Sequence, residues 1–112
     1  MRIAIPTAKG LLCMHFGHCE TFALLDVDEA TGIIKESKMV EPPPHEPGLL
    51  PRWLKEKGAD VIIAGGMGMH AQSLFAESGI KVVVGAQGGE PDGIVKKYLA
   101  GMLVTGPNAC EH

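Results

Sequence analysis

The sequence predicts a mixed α/β fold: an antiparallel hairpin, then strand–helix–strand–helix units, building a mixed five-stranded sheet with three helices packed on it. Three observations carry this. Residues 21–27 and 33–40 are strand-like runs separated by the turn Asp28-Glu29-Ala30-Thr31-Gly32. Residues 60–64 and 80–84 are short, continuously apolar runs, as in strands buried on both faces. Segments of helical spacing, bounded by glycine and proline, alternate with them.

In chain order, residues 2–6 read as a short first strand stopped by Pro6, and residues 7–20 as a loop. After the hairpin, Pro42-Pro43-Pro44 forms a stiff extended connector that presents His45. Leu49, Leu50, Trp53 and Leu54 then make one helical stripe bordered by the stem of Lys57, and Gly58 stops the helix. The turn Gly65-Gly66-Met67-Gly68 opens a second helix over about residues 69–78. The glycine-rich loop 85–89 leads to a third helix over about residues 91–100, with Pro91 early and Asp92 in the first turn. The tail from about residue 101 is irregular or carries a short strand at 102–105. Residues 1–112 are expected to form one domain, with neither an internal repeat nor a boundary.

Composition narrows the function. Glycine and proline are spread along the chain as turns, not concentrated in a low-complexity tract. A net charge of −3 argues against non-specific nucleic-acid binding, which needs a basic face to displace counterions. The apolar runs are strand-sized, so no membrane helix is expected, and the N-terminal apolar run is too short for a signal peptide. A cytoplasmic location follows as the expectation. There, three cysteines serve as thiols or metal ligands more readily than as a disulfide framework.

The chemistry concentrates in Cys13-Met14-His15-Phe16-Gly17-His18-Cys19, where four soft or borderline ligands fall within seven residues. Thiolate and imidazole favour zinc, copper, iron or iron–sulfur chemistry over magnesium or calcium. The competing reading is a loop that is rich in these residues by chance. One short loop cannot easily supply a full tetrahedral set, because neighbouring side chains point apart. Completing ligands are sought in His45, in Met67, Met69 and His70 at the glycine turn, and in Cys110 and His112 at the end. Each has a plainer explanation: an exposed connector residue, a helix-capping histidine, packing methionines, a frayed tail. No zinc-finger spacing is present.

Gly66-Met67-Gly68-Met69-His70-Ala71 formally fits a dinucleotide fingerprint. The next strand, however, carries no acidic residue at its tip to hold a ribose, so no nucleotide is expected. What remains of that reading is a glycine turn and helix N-terminus whose amides favour an anion, an anionic cluster included. Asp26 and Asp28 share a strand face and read as a solvated strand end, not a catalytic pair.

The loop His15-Phe16-Gly17-His18 with Phe22 after it, the Pro-Pro-Pro-His45-Glu-Pro-Gly-Leu-Leu-Pro-Arg-Trp-Leu segment, the stretch from Gly58-Ala59-Asp60 through Ala64-Gly65-Gly66-Met67-Gly68, the Gly79-Ile80 strand and the closing Asn-x-Cys110-x-His112 occur together. In this combination the chain resembles the dinitrogenase iron–molybdenum cofactor biosynthesis family, the small proteins related to NifX, NafY and the C-terminal part of NifB, over essentially its whole length. The resemblance implies a ribonuclease H-like fold without nuclease activity, because the carboxylate set of those nucleases is not visible. It also implies binding of an iron–sulfur or iron–molybdenum-type cluster or cofactor precursor through His15, His18, His45 and His70. Cys13 and Cys19 depart from the commonest loop pattern. The Cys110/His112 ending resembles stand-alone members that occur beside, or fused to, cluster-carrying P-loop ATPases.

The leading expectation is therefore a non-catalytic carrier or scaffold for a metal cluster. Cys13, His15, His18, Cys19, His45, Cys110 and His112 are its candidate metal ligands, and Gly65, Gly66, Met67, Gly68 and His70 its cofactor-binding turn. Its partners are the cluster, a P-loop ATPase or a metalloenzyme target. The alternative is a regulatory or protein-interaction module with a vestigial metal site. An oxidoreductase using the glycine turn ranks last.

Overall fold

The computed structural model describes residues 1–13, 19–43, 49–87, 89–101, 103 and 105–106. Among these residues nine elements follow one another: β1 (Arg2–Ala8), β2 (Leu11–Leu12), β3 (Thr21–Asp28), β4 (Ile33–Val40), α1 (Leu49–Glu56), β5 (Val61–Ile63), α2 (Met69–Glu77), β6 (Lys81–Val83) and α3 (Pro91–Leu99). The main sheet has the order β4-β3-β1-β5-β6, with β2 added to β1. β4, β3 and β1 are antiparallel neighbours, whereas β1, β5 and β6 are parallel.

The expected mixed sheet with three helices is present, with six strands instead of five. The extra strand comes from the first segment. Pro6 does not stop β1, which runs on to Ala8 and turns at Lys9-Gly10 into β2. Both turn residues have positive φ (56° and 80°), the twist that suits a two-residue hairpin loop, and Gly10 takes it without a Cβ penalty. The proline is tolerated for a geometric reason. Its carbonyl accepts from the Cys13 N–H on the β2 side, so its nitrogen faces that side too. β5 pairs only with Ile3 and Ala4 of β1, and β2 only with Thr7 and Ala8. Pro6 falls in the gap between them, where a missing N–H removes no ladder bond. The tail, expected to be irregular or to carry a short strand at 102–105, shows among its described residues one antiparallel bridge, Ala86 to Thr105; Met102 and Val104 lie outside the described residues.

Alternation along β1 and β3 splits the apolar side chains into two layers. Ile3, Ile5, Ala23, Leu25 and Val27 face α3, where Ile94 and Val95 meet them. Ala4, Phe22 and Leu24 face α1 and α2, where Leu54, Met67 and Phe75 meet them. Phe75 is fully buried, and its burial alone contributes about 2–3 kcal/mol. Pro51 sits in the first turn of α1, where a backbone N–H would lack a helical partner anyway.

The amino end of β1 is tied at both sides. Arg2 grips Asp26 of β3 with two bonds, Nε to Oδ1 at 2.6 Å and a second nitrogen to Oδ2 at 2.9 Å, and it also donates to the carbonyl of Lys57. Its backbone N–H donates to Asp60 Oδ2 at 2.9 Å, and the Asp60 N–H returns a bond to the Arg2 carbonyl. Asp26 is thus a structural anchor, as is Asp28, whose carboxylate accepts from the Ala30 N–H in the hairpin turn. The hydrogen bonds from Arg2 hold the Asp26 carboxyl below the usual carboxylate range.

The pair is partly exposed, so replacing Asp26 by Asn should cost no more than about 1 kcal/mol at neutral pH, measured by urea unfolding. Because the folded-state pKa is depressed, the wild-type advantage should be complete above the unfolded value and disappear as pH falls through the folded one. An advantage that persists unchanged at pH 2 would refute the assignment.

Candidate functional site

Since β1, β5 and β6 are parallel, their carboxyl ends lie along one sheet edge, where open α/β sheets carry their ligands. The described parts of three connections meet there: residues 9–13 and 19–20 after β1, 64–68 after β5, and 84–87 and 89–90 after β6. Backbone hydrogen bonds lace them together. Leu12 N–H donates to Gly89 O at 2.9 Å, Gly85 N–H to Gly65 O at 3.0 Å, and Ala86 N–H to Ala64 O at 3.2 Å. The tail crosses the same edge, with Gly106 N–H donating to Gly85 O at 2.7 Å.

The Cys/His segment is pinned at both ends to this edge. Cys13 N–H donates to Pro6 O at 2.9 Å, and Glu20 N–H, next to Cys19, donates to Thr7 O at 2.8 Å. The chain therefore leaves and returns at adjacent residues of β1. Two side-chain contacts reinforce the closure. Glu20 Oε1 accepts from the Lys9 N–H at 2.8 Å, and the buried Thr7 hydroxyl lies 2.6 Å from the Thr21 hydroxyl.

Cys13 is buried, and Cys19 is half-buried against the α1/α2 layer. Burial pushes the Cys19 thiol up to about 11, and the nearby Cys13 sulfur, unfavourable to a second negative charge, adds to the rise. Cys19 is therefore a neutral thiol at physiological pH, and the two sulfurs are electrostatic neighbours.

The other sequence-derived candidates divide clearly. Gly65 and Gly66 are buried within the edge, and Met67 is wholly buried in the core beneath α1 and α2. Gly68 caps α2 without a side-chain bond, and Gln72 Nε2 donates to the Met67 carbonyl at 2.8 Å. His70 is exposed in the first turn of α2, beside Met69, which is 77% exposed. His15, His18, His45, Cys110 and His112 lie outside the described residues. Among the described residues, no three His, Cys, Asp or Glu side chains converge as a metal site. What the structure places at this edge is Cys13 and Cys19, next to two glycine turns.

Sequence reasoning missed the β2 hairpin, the Thr7–Thr21 pair and the passage of the tail across Gly85. Only the first left a signal: Lys9-Gly10 between an alternating strand and Leu11-Leu12.

Fold and site together define a small mixed α/β protein in which Cys13, Cys19 and two glycine turns lie at the carboxyl edge of the parallel strands. More specifically, the chain belongs to the dinitrogenase iron–molybdenum cofactor family, whose model matches residues 1–101. It is 32% identical over 108 residues to an uncharacterised protein of Methanocaldococcus jannaschii, covering 92% of this chain and 89% of that one. Its structure is similar to that of PH0822, with a TM-score of 0.89 and 30% identity over the whole of both chains. It is also similar to the apo form of the orange protein from Desulfovibrio gigas, with a TM-score of 0.71 and 26% identity, covering 96% of this chain and 93% of that one.

Two outcomes follow from this geometry. Gly85 has φ +83°, and a Cβ there would come within 2.1 Å of the Gly106 carbonyl oxygen, whereas a Cβ at Gly68 meets nothing within 4 Å. Gly85→Ala should destabilise the protein by about 1–3 kcal/mol, and Gly68→Ala by less than about 0.5 kcal/mol, in thermal or urea unfolding. Separately, iodoacetamide at pH 8 should label Cys19 about a hundredfold more slowly than an unperturbed thiol, the rate climbing about tenfold per pH unit. Labelling at the ordinary rate would show that the thiol is not buried.

Proposed function

We propose that this protein is a non-catalytic carrier or scaffold that binds an iron–sulfur or molybdenum-containing cluster during cofactor assembly. The observation that supports this most directly is the anchoring of Cys13, and of Glu20 next to Cys19, to adjacent residues of β1, at the edge where the two glycine turns meet, in a chain of the iron–molybdenum cofactor family. The strand order β4-β3-β1-β5-β6, with three antiparallel and three parallel members sharing β1, suits a ribonuclease H-like arrangement. The orange protein is known in an apo form, a description that presupposes a loaded one.

In this reading the cluster is cargo. Cys13 and Cys19 supply thiolates, with His15 and His18 between them and His45, Cys110 and His112 as further ligands. The glycine turns let backbone approach an anionic cluster closely, and His70 stands at the rim. A half-buried thiol such as Cys19 suits labile holding, which a carrier needs in order to hand over what it binds. A cluster-carrying P-loop ATPase or a metalloenzyme is the partner we infer, in the cytoplasm. Among the described residues no helix is long and apolar enough to cross a membrane.

A second reading, a regulatory interaction module with a vestigial metal site, has one observation in its favour. Leu11 and Met69, both at this edge, are 48% and 77% exposed, so apolar surface for a partner is present beside the thiols.

The test is anaerobic purification with metal and acid-labile sulfide analysis and a visible spectrum. It compares the wild type with a variant in which Cys13, His18 and Cys19 are all Ala. The carrier reading expects iron or molybdenum with sulfide in the wild type, lost in the variant while circular dichroism is unchanged. A wild type that stays colourless after anaerobic reconstitution would overturn it and leave the interaction module.

A further inference from the structure

Among the described residues β4 is the outermost strand of the sheet, bonded only to β3. It is eight residues long, and none of its residues is buried; Ile33 is 60% and Met39 50% exposed. A groove lined by Ile34, Glu36, Ser37, Asp92 and Lys96 separates its inner flank from α3, so neither face is fully covered. The opposite edge, β6, offers only three residues. A long strand with an unpaired row of N–H and C=O groups is a template for another strand, and proteins that must avoid pairing interrupt such edges.

The interruption here is partial. The register passes from Asp26↔Glu36 to Val27↔Ile34, so Lys35 is the extra residue of a bulge, and Glu36 to Val40 form an unbroken ladder with β3. In that stretch Glu36 and Lys38 share one face of the sheet. An antiparallel copy of the strand centred on Ser37 places each Glu36 opposite the other copy's Lys38, making two opposite-charge pairs around a serine–serine centre. A centre at Glu36 would set glutamate against glutamate, and one at Lys38 would set lysine against lysine. The exposed Met39 falls opposite the aliphatic stem of Lys35. The charge pattern is self-complementary in this register.

We propose that the β4 edge is a homodimer interface, in which β4 of a second copy pairs antiparallel about Ser37 and the two sheets become continuous. β4 runs parallel to β1, so the two-fold axis sends the two Cys13/Cys19 edges to opposite ends of the joined sheet. Each copy keeps its own site, and association does not depend on any cargo. A ladder of about five residues is small for an interface, so the dimer is dissociable.

Sedimentation equilibrium of the full, unloaded chain between about 1 and 300 µM tests this, combined with amide hydrogen exchange at both ends of that range. The expected result is a concentration-dependent dimer with added protection confined to residues 36–39. Glu36→Lys and Lys38→Glu should each weaken association at least tenfold by opposing like charges, and the double swap Glu36→Lys/Lys38→Glu should restore it. Both side chains are solvent-exposed but neighbour the Arg2–Asp26 pair, so thermal melts check that each variant stays folded. Lys38→Glu and the double swap read the same contact if Glu36→Lys alone is unstable. A wild type monomeric across the range overturns the proposal. So does a dimer that is indifferent to all three variants, or one protected at another strand or helix.

Discussion

Because β1 is bonded along both of its edges, to β3 on one side and to β5 and then β2 on the other, every remaining part of the molecule takes its position from this strand. Its alternate side chains begin both hydrophobic layers, Ile3 and Ile5 toward α3 and Ala4 toward α1 and α2. Its amino end is clamped by the Arg2 contacts to Asp26 and Asp60, and its carboxyl end by the returns of Cys13 and Glu20. The two ends divide the labour. One carries charge pairs that fix strand register, and the other carries the thiols and glycine turns.

That division places both thiols where β1 anchors the chain that follows it. A strand end supplies carbonyls without sheet partners, here those of Pro6 and Thr7, and the loop satisfies them with its own N–H groups. The two ends of the segment are thereby positioned by the sheet.

Much of this fold was legible in the sequence. The hairpin at 21–40, the apolar strands near 61–64 and 80–84 and the three helices depend on local periodicity and on glycine or proline punctuation, which a single chain displays. The first segment was not, because Pro6 looks like a terminator unless one knows that β5 stops two residues short of it and β2 starts one residue beyond it. That is tertiary information. The same holds for the site. The ligand types in residues 13–19 could be read directly, but the return of that segment to adjacent residues of β1 depends on pairing between residues far apart in sequence. The burial that keeps Cys19 protonated depends on α1 and α2. Met67, a soft ligand by residue type, proves to be a core residue because the glycine turn bends inward there.

One packing detail has an optical consequence. Trp53, the sole tryptophan, meets Phe22 edge-to-face at 5.7 Å, lies beneath the Lys57 ammonium at 5.9 Å and shares its apolar layer with Cys19. Tyr98, the sole tyrosine, stands in the other layer, across the sheet. Excitation selective for indole therefore views only the side of the sheet where Cys19 is lodged. A chromophore seated beside that thiol would dim the native emission by energy transfer, so the protein carries its own gauge of occupancy without an attached dye.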